Sequence, residues 1–269
     1  MKYRMIVLDL DGTLTNRDKV ITPKTKEALF RFQEAGGIIV LASGRPTYGV
    51  MPLAKELKLE QQGGYILSFN GGRIIDCKTG ETVFAKELPV SANSRIIALA
   101  KENGVNILTY EEDRIITPDG TDEYVKKESA INKLEIREIP DFASHVNFPV
   151  VKFLMLDDGD YLALVEAKVK AALGRNYSVY RSEPYFLEIL PEGIDKAKSL
   201  ERLLERVGLH REDMIACGDG YNDLSMIQYA GLGVAMENGV LPVRKAADYI
   251  TYSNNADGIA HVIEKFIFS

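Results

Sequence analysis

The sequence predicts an α/β fold, namely a doubly wound parallel sheet with an α+β domain inserted into it. At both ends of the chain, short and almost uniformly apolar segments alternate with amphipathic ones, which is typical of buried parallel strands joined by helices. Between about residues 86 and 186, shorter strands of mixed polarity replace this alternation. The predicted core therefore consists of residues 1–85 and 187–269, and the predicted insert of residues 86–186.

The first stretch of the predicted core supplies three buried strands and two helices. Thr22 precedes Pro23, which is the pattern of a helix N-cap followed by proline in the first turn, and Gly36 and Gly37 end that helix. The second helix is expected at residues 46–58. The strands are expected at 5–10, 38–42 and 65–69, followed by a hairpin at 73–76 and 81–85.

The insert and the last stretch of the core are assigned from the same patterns. In the insert, helices are expected at 91–103, 122–134 and 161–173, and strands at 105–110, 114–117, 150–156 and 178–181. In the last stretch, helices are expected at 196–207, 223–230 and 257–266, and strands at 214–217, 232–235 and 249–251. Asp195 precedes one of these helices as its N-cap, so Lys196 falls in the first helical turn.

Composition narrows the classes of function. The 269 residues include 33 basic and 39 acidic side chains, and the net charge of −6 disfavours a nucleic-acid backbone or an anionic membrane as the main partner. No apolar run approaches the roughly 18 residues of a membrane span. Cys77 and Cys217 lie far apart and are interpreted as reduced thiols of a cytoplasmic protein. No nucleic acid, membrane or obligate protein partner is expected.

Acidic side chains follow two of the predicted strands. Asp9 and Asp11 end the first strand, where Gly12 lets the chain turn sharply. Gly218-Asp-Gly-Tyr-Asn-Asp223 follows a later one. Ligands of open α/β sheets bind beyond the carboxyl ends of the strands, and oxygen side chains there suit Mg²⁺. The alternatives are an acidic turn or helix cap at the first position and, at the second, Asn222 as the N-cap of the following helix with Asp223 favouring the helix dipole.

Two further segments suit a bound anion. Ser43-Gly-Arg45 follows the second strand, and a hydroxyl and a glycine amide at such a turn can bind phosphate, although an empty Ser-Gly turn is the simpler interpretation. A positive charge on Lys196 in the first turn is unfavourable because it opposes the helix dipole. A bound phosphate would make the same placement favourable. The alternative is an exposed lysine, and Lys198 is the competing lysine on the opposite side of the helix.

Taken together, these segments resemble a known enzyme family. Asp9-Leu-Asp-Gly-Thr13, Ser43, Lys196 and Gly218-Asp-Gly-Tyr-Asn-Asp223 resemble the four ordered motifs of the haloacid dehalogenase (HAD) superfamily. The insert and the segments Ser68-Phe-Asn-Gly-Gly72, Ala246-Ala-Asp-Tyr-Ile-Thr251 and Asp257-Gly-Ile-Ala260 are similar to the Cof-like subfamily IIB phosphatases. Ala197 departs from that pattern, because these phosphatases often carry glycine after the motif lysine.

The resemblance implies a Rossmann-like HAD core with a cap domain, and a phosphatase that forms an aspartyl-phosphate. It implies that Asp9 attacks phosphorus and that Asp11 is the general acid and base. It also implies that Mg²⁺ binds Asp9, the backbone carbonyl of Asp11, and Asp219. The phosphate oxygens are then expected to be bound by Lys196, Ser43, Asn222 and amides near Leu10 and Gly44, with Thr13 and Asp223 supporting the site.

We therefore expect a Mg²⁺-dependent phosphatase for small phosphorylated metabolites, with sugar phosphates as the leading class. The alternatives are a sugar phosphomutase or other phosphotransferase with the same aspartate, and a non-catalytic phosphate-binding module. A binding module has no need of the acid–base partner Asp11, which argues against the second alternative. Four residues that flank the predicted site are candidates for recognition of the leaving group: Arg45, Asn70, Glu183 and Tyr185.

Overall fold

Two β-sheets organise the chain, and each belongs to a separate unit of the fold. The computed structural model describes all residues, Met1–Ser269. The first unit comprises residues 1–84 and 195–269, and the second comprises residues 85–194. The core is thus discontinuous along the chain, because both chain ends contribute to the first unit.

The strands and helices have the following bounds. The strands are β1 (Met5–Leu8), β2 (Ile38–Ala42), β3 (Tyr65–Ser68), β4 (Arg73–Asp76), β5 (Thr82–Ala85), β6 (Asn106–Glu111), β7 (Arg114–Thr117), β8 (Glu135–Glu138), β9 (Phe153–Leu156), β10 (Tyr177–Glu183), β11 (Phe186–Pro191), β12 (Met214–Gly218), β13 (Leu232–Ala235) and β14 (Tyr249–Ile250). The helices are α1 (Pro23–Glu34), α2 (Thr47–Glu56), α3 (Leu59–Gln62), α4 (Val90–Glu102), α5 (Glu123–Asn132), α6 (Phe142–His145), α7 (Gly159–Leu173), α8 (Lys196–Val207), α9 (Leu224–Tyr229), α10 (Leu241–Ala246) and α11 (Gly258–Phe266).

The sheet of the first unit is doubly wound, as the sequence predicts. Its strand order is β14-β13-β12-β1-β2-β3-β4-β5, and the six strands from β14 to β3 are parallel. The chain runs outward from β1 through β2 and β3, and it later returns to the other side of β1 at β12. The carboxyl ends of β1, β2 and β12 therefore meet where the winding direction reverses, which is where such sheets bind ligands.

Both faces of this sheet are buried under helices. On β1, Ile6 and Leu8 belong to the apolar cluster that includes side chains of α1 and α11. Met5 and Val7 point to the opposite face, in the cluster with side chains of α8, α9 and α10. Burial on both faces explains why the strand reads as an uninterrupted apolar segment in the sequence.

The second unit is an α+β structure whose sheet has the order β10-β11-β9-β6-β7-β8. Its strands pair antiparallel except for β7 and β8, which are parallel. Helices α4 and α7 pack on one face of this sheet, and Val125 of α5 joins the cluster on the other. None of the helices of the chain combines the length and the apolar character that crossing a bilayer requires.

The predicted start of the second core segment, at residue 187, is wrong. Strand β11 pairs with β10 and β9, and the second unit extends to residue 194. All six residues of β11 are buried, and all but Glu188 are apolar, so this interior strand of the second sheet resembles a strand of the core. The sequence reasoning also missed β8 and α6, because β8 is a largely polar strand at the sheet edge and α6 is a single turn.

Candidate active site

Lys196 lies at the centre of a buried ionic cluster at the carboxyl ends of β1 and β2. Its Nζ donates to Asp9 Oδ1 (2.9 Å), to Asp223 Oδ1 (2.6 Å) and to the carbonyl oxygen of Ala42 (2.9 Å). The Lys196 side chain is fully buried, whereas Lys198 is exposed. Asp195 caps α8 by accepting from the Lys198 amide (3.1 Å), which places Lys196 in the first turn as predicted.

Asp223 fixes the loop that follows β12. Its Oδ2 accepts hydrogen bonds from the amides of Asp219 and Gly220, each at 2.9 Å, while its Oδ1 accepts from Lys196. A Cβ on Gly218 would lie 2.5 Å from the Cβ of Asp223, so only glycine fits there. The proposed capping role of Asn222 is not observed, because the N-cap of α9 is Asp223 and its side chain makes no capping bond.

The cluster holds more negative than positive charge. Carboxylate oxygens of Asp9, Asp219 and Asp223 all lie within 4.8 Å of one another, and Lys196 is the cation bonded to two of them. Burial and the charge of Asp223 raise the pKa of Asp9 well above its usual range, against the lowering effect of Lys196. Burial raises the pKa of Asp219 to about 6, although a hydrogen bond from Thr13 opposes the shift.

The donors of this cluster fit a hard divalent cation. All are oxygens, and the charge imbalance favours a positive ion. Asp9 uses Oδ1 for Lys196, and Asp219 uses Oδ1 for Thr13 Oγ1 (2.8 Å), so each has Oδ2 free of hydrogen bonds. Asp223 has both oxygens engaged, which makes it a support for the loop rather than a metal ligand.

Asp11 lies apart from this cluster and is held by two basic side chains. Arg45 donates from Nε to Asp11 Oδ2 (2.8 Å) and from Nη2 to Oδ1 (2.7 Å), and Lys19 Nζ donates to Oδ1 (2.6 Å). Partial burial opposes ionisation of Asp11, but the hydrogen bonds and charges of Arg45 and Lys19 outweigh it and lower the pKa. Asp11 is therefore a carboxylate near neutral pH.

The segments that follow β2 and β3 bring Ser43 and Asn70 together. The Asn70 amide donates to the Ser43 carbonyl (2.9 Å), and Ser43 Oγ accepts from the Arg45 amide (3.1 Å). Asn222 donates from Nδ2 to Asn70 Oδ1 (3.0 Å), which links the segment after β3 to the loop after β12. A Cβ on Gly44 would lie 3.2 Å from the Asn70 side-chain amide, so a larger residue would crowd the loop.

Gly12 gives a direct test of the close approach between the first and last motifs. Its φ is +87°, and a Cβ there would lie 2.3 Å from Asp219 Oδ2. Replacing Gly12 by alanine should therefore lower the free energy of unfolding by about 2–4 kcal/mol, the sum of backbone strain and displacement of the Asp219 carboxylate. Guanidinium chloride unfolding measures this difference.

Gly36 supplies the matched control for this substitution. Its φ of +85° is nearly the same, but nothing lies within 4 Å of the position that a Cβ would take. Gly36→Ala should lower the free energy of unfolding only through backbone strain, by about 1 kcal/mol. Equal losses of stability in the two variants would contradict the proposed contact with Asp219.

Comparison with known proteins decides the family. The sequence matches the family model of haloacid dehalogenase-like hydrolases over residues 6–263. The chain belongs to the haloacid dehalogenase-like hydrolases. A solved haloacid dehalogenase-like hydrolase from Bacteroides thetaiotaomicron is 51% identical, covers 99% of this chain and 100% of its own, and superposes with a TM-score of 0.96.

Two further relatives narrow the assignment within the HAD-like hydrolases. YxeH of Bacillus subtilis is 31% identical over 99% of both chains. A solved sugar phosphatase of HAD subclass IIB is 25% identical, covers 98% of both chains and superposes with a TM-score of 0.79. The chain is accordingly an enzyme, a phosphatase of the Cof-like HAD subclass IIB.

Most residues that the sequence reasoning named for the HAD site lie in the first unit, around the ends of β1, β2 and β12. Leu10 and Thr13 belong to the turn after β1, and Thr13 contacts Asp219. Glu183 and Tyr185 instead belong to the second unit, where the Tyr185 ring stacks on that of Tyr124 at 5.3 Å between centroids. Nothing in the first unit's geometry assigns these two residues a role.

The sequence reasoning missed three polar residues of the HAD core. Lys19, which contacts Asp11, is a single lysine in a turn and carries no sequence signal. Asn238 donates to the Gly12 carbonyl (2.8 Å), and Asn254 donates to the Thr15 carbonyl (2.8 Å). Asn238 follows β13, so applying the strand-end rule to that strand would have identified it.

The cysteines carry no chemistry in this site. Both are free thiols. Burial raises the pKa of Cys77 to about 12, and burial also raises the pKa of Cys217. Because the thiolate is the reactive form, neither side chain is a nucleophile near neutral pH.

Proposed function

We propose that this phosphatase is Mg²⁺-dependent, that it hydrolyses small phosphorylated metabolites, sugar phosphates above all, and that it forms an aspartyl-phosphate on Asp9. One observation carries the proposal. A buried lysine holds one oxygen of the Asp9 carboxylate, and the other oxygen is free beside a second carboxylate whose charge is uncompensated. That arrangement suits a nucleophile that works beside a divalent cation.

Asp9, Asp219 and the backbone carbonyl of Asp11 are the groups that would hold Mg²⁺. Asp9 and Asp219 each offer a free Oδ2. When bound, the ion supplies positive charge between the nucleophilic carboxylate and the negative phosphate, which otherwise repel each other.

The chemical steps fall to Asp9 and Asp11. Asp9 attacks phosphorus, and the bond from phosphorus to the ester oxygen breaks. Arg45 and Lys19 favour the ionised form of Asp11, so Asp11 must first take up a proton from solvent, which it then gives to that oxygen. Asp11 then takes a proton from water as the water oxygen attacks the phosphorus of the aspartyl-phosphate. Inorganic phosphate leaves, and the Asp9 carboxylate and protonated Asp11 are regenerated.

The proposed ligands of the phosphate oxygens are groups around this centre. Lys196 supplies a buried positive charge whose pKa is raised, because its two carboxylate neighbours outweigh the effect of burial. Ser43 and Asn222 contribute a hydroxyl and an amide group. The backbone amides of Leu10 and Gly44 are not engaged in the hydrogen bonds of their loops, so they remain donors for an anion.

The proposed substrate class rests on the similarity to a sugar phosphatase and on the inserted unit. We propose that the second unit acts as the cap domain and discriminates among leaving groups, with Glu183 and Tyr185 as the candidate residues. Binding energy from a non-reacting part of a small substrate can accelerate the reaction, provided that the enzyme contacts that part. Small metabolites should therefore be better substrates than phosphorylated proteins.

Phosphate release from a panel of sugar, nucleotide and cofactor phosphates, with and without metal, tests the proposal. We expect release from several alkyl phosphates with Mg²⁺, loss of release with EDTA, and recovery on adding Mg²⁺ but little with Ca²⁺, which is larger and prefers more ligands. A phosphomutase would move the phosphoryl group to another hydroxyl without releasing it, and a binding module would turn over nothing. Full activity with effective chelator would contradict the metal requirement.

A further inference from the structure

The position of Arg45 in the sequence makes it a candidate for recognition of the leaving group, but in the structure its side chain is bonded to Asp11. Both oxygens of Asp11 accept hydrogen bonds from the Arg45 guanidinium, from Nε at 2.8 Å and from Nη2 at 2.7 Å. We infer that Arg45 is a positioning residue, which sets the orientation of the Asp11 carboxylate and acts on the leaving group only through it. This inference rests on the proposed acid–base role of Asp11.

The two hydrogen bonds between Arg45 and Asp11 fix both the position and the plane of the carboxylate. A guanidinium is a rigid planar fork, so two parallel bonds to one carboxylate hold its plane as well as its distance. Lys19 adds only a single bond to Oδ1, at 2.6 Å. The Lys19 side chain is 60% exposed and that of Arg45 only 16% exposed, so Arg45 is the better-ordered partner.

The backbone of Arg45 is itself tied to the loop that is proposed to bind phosphate. Its amide donates to Ser43 Oγ (3.1 Å), and its carbonyl accepts from the Phe69 amide (3.0 Å). The same residue therefore connects the Ser43 loop with the acid–base carboxylate. Any shift of that loop moves the carboxylate with it, which keeps the proton donor aligned with the phosphate.

A positioning role predicts a dependence on the leaving group. An alkoxide needs a proton in the transition state, whereas 4-nitrophenolate leaves without one. Because kcat/KM reports the steps up to phosphoryl transfer, the ratio of kcat/KM for an alkyl ester to that for an aryl ester measures the contribution of the general acid. Direct contact of Arg45 with the substrate phosphate would instead change both esters alike.

The test compares kcat/KM for glucose 6-phosphate and 4-nitrophenyl phosphate in four proteins. Asp11→Asn provides the reference: we expect kcat/KM to fall by about 10²–10⁴-fold for the alkyl ester and by much less for the aryl ester. Arg45→Lys keeps the charge but loses the planar pair of donors. We expect it to lower kcat/KM by about 10-fold or more for the alkyl ester and by less than about 3-fold for the aryl ester. Arg31→Lys makes the same change in the exposed ion pair with Glu264, away from the site, and should behave as the unmodified protein.

The double variant Asp11→Asn, Arg45→Lys completes a cycle. If Arg45 acts through Asp11, kcat/KM of the double variant for the alkyl ester is no lower than that of Asp11→Asn alone. Additive losses, or equal losses on both esters with a raised KM, would overturn the positioning role while leaving the proposed function intact. Equal losses on both esters in Asp11→Asn would instead remove the proposed acid–base role, and the inference about Arg45 with it.

Discussion

Replacing Asp9 by asparagine should reduce turnover by a factor on the order of 10⁴ or more while leaving the fold intact. The amide keeps the shape of the side chain and can still accept from Lys196, but it is a poor nucleophile and a poor metal ligand. Burial and Asp223 raise the pKa of Asp9, so its ionised form costs folding free energy at neutral pH. The metal-free variant should therefore melt no lower than the unmodified protein.

Steady-state phosphate release and thermal unfolding at neutral pH, both on purified protein, test this prediction. The difference in melting temperature should narrow as the pH falls through the raised pKa of Asp9, because the protonated acid and the amide are then both neutral. Turnover within about 10-fold of the unmodified protein would place the nucleophile elsewhere. A variant that is inactive because it is unfolded is recognised from its melting curve.

Replacing Lys196 by methionine should both abolish turnover and lower the free energy of unfolding by about 3–5 kcal/mol. The lysine is fully buried and donates to two carboxylates and a carbonyl. Without it, Asp9 and Asp223 are buried charges with no cation between them. Methionine fills most of the volume of the lysine side chain, so the loss of stability arises from the unpaired carboxylates and not from a cavity.

Lys198→Met, on the same helix at an exposed position, is the matched control and should change stability by less than about 0.5 kcal/mol. Guanidinium chloride unfolding at about pH 7 and about pH 5 separates the causes. Burial already raises the pKa of Asp9, and without the lysine this carboxylate is more readily protonated, so the stability deficit of Lys196→Met should shrink at the lower pH. A deficit that is the same at both pH values would point to packing instead of unpaired charge.

The sequence predicts the doubly wound core and the acidic segments at its strand ends because both leave strong local patterns. Helix α8 begins directly after the predicted N-cap Asp195 and spans the predicted residues, Lys196–Val207. Once β1 and β12 are recognised as parallel neighbours, the strand-end rule brings Asp9 and Asp219 together. The helix needs only local signals, whereas the meeting of the two aspartates depends on the pairing of β1 with the distant β12.

Other features depend on contacts that no local pattern records. Strand β11 is uniformly buried, and its assignment to the second sheet requires its partners β9 and β10. Arg45 is a plausible substrate contact from its position alone, and only the side-chain geometry shows that it meets Asp11. Lys19 reaches the same carboxylate from a turn whose conformation is set by the fold as a whole.

The discontinuous core also sets an order of events during synthesis of the chain. Asp9 and Lys196 are 187 positions apart, so translation at about 5–20 residues per second separates their appearance by roughly 10–40 s. During that interval β1 has β2 beside it, but its other edge, which later pairs with β12, remains an open template for wrong partners. The whole second unit is made in the meantime. All residues of the second unit are thus available to fold while the sheet of the first unit still lacks β12, β13 and β14.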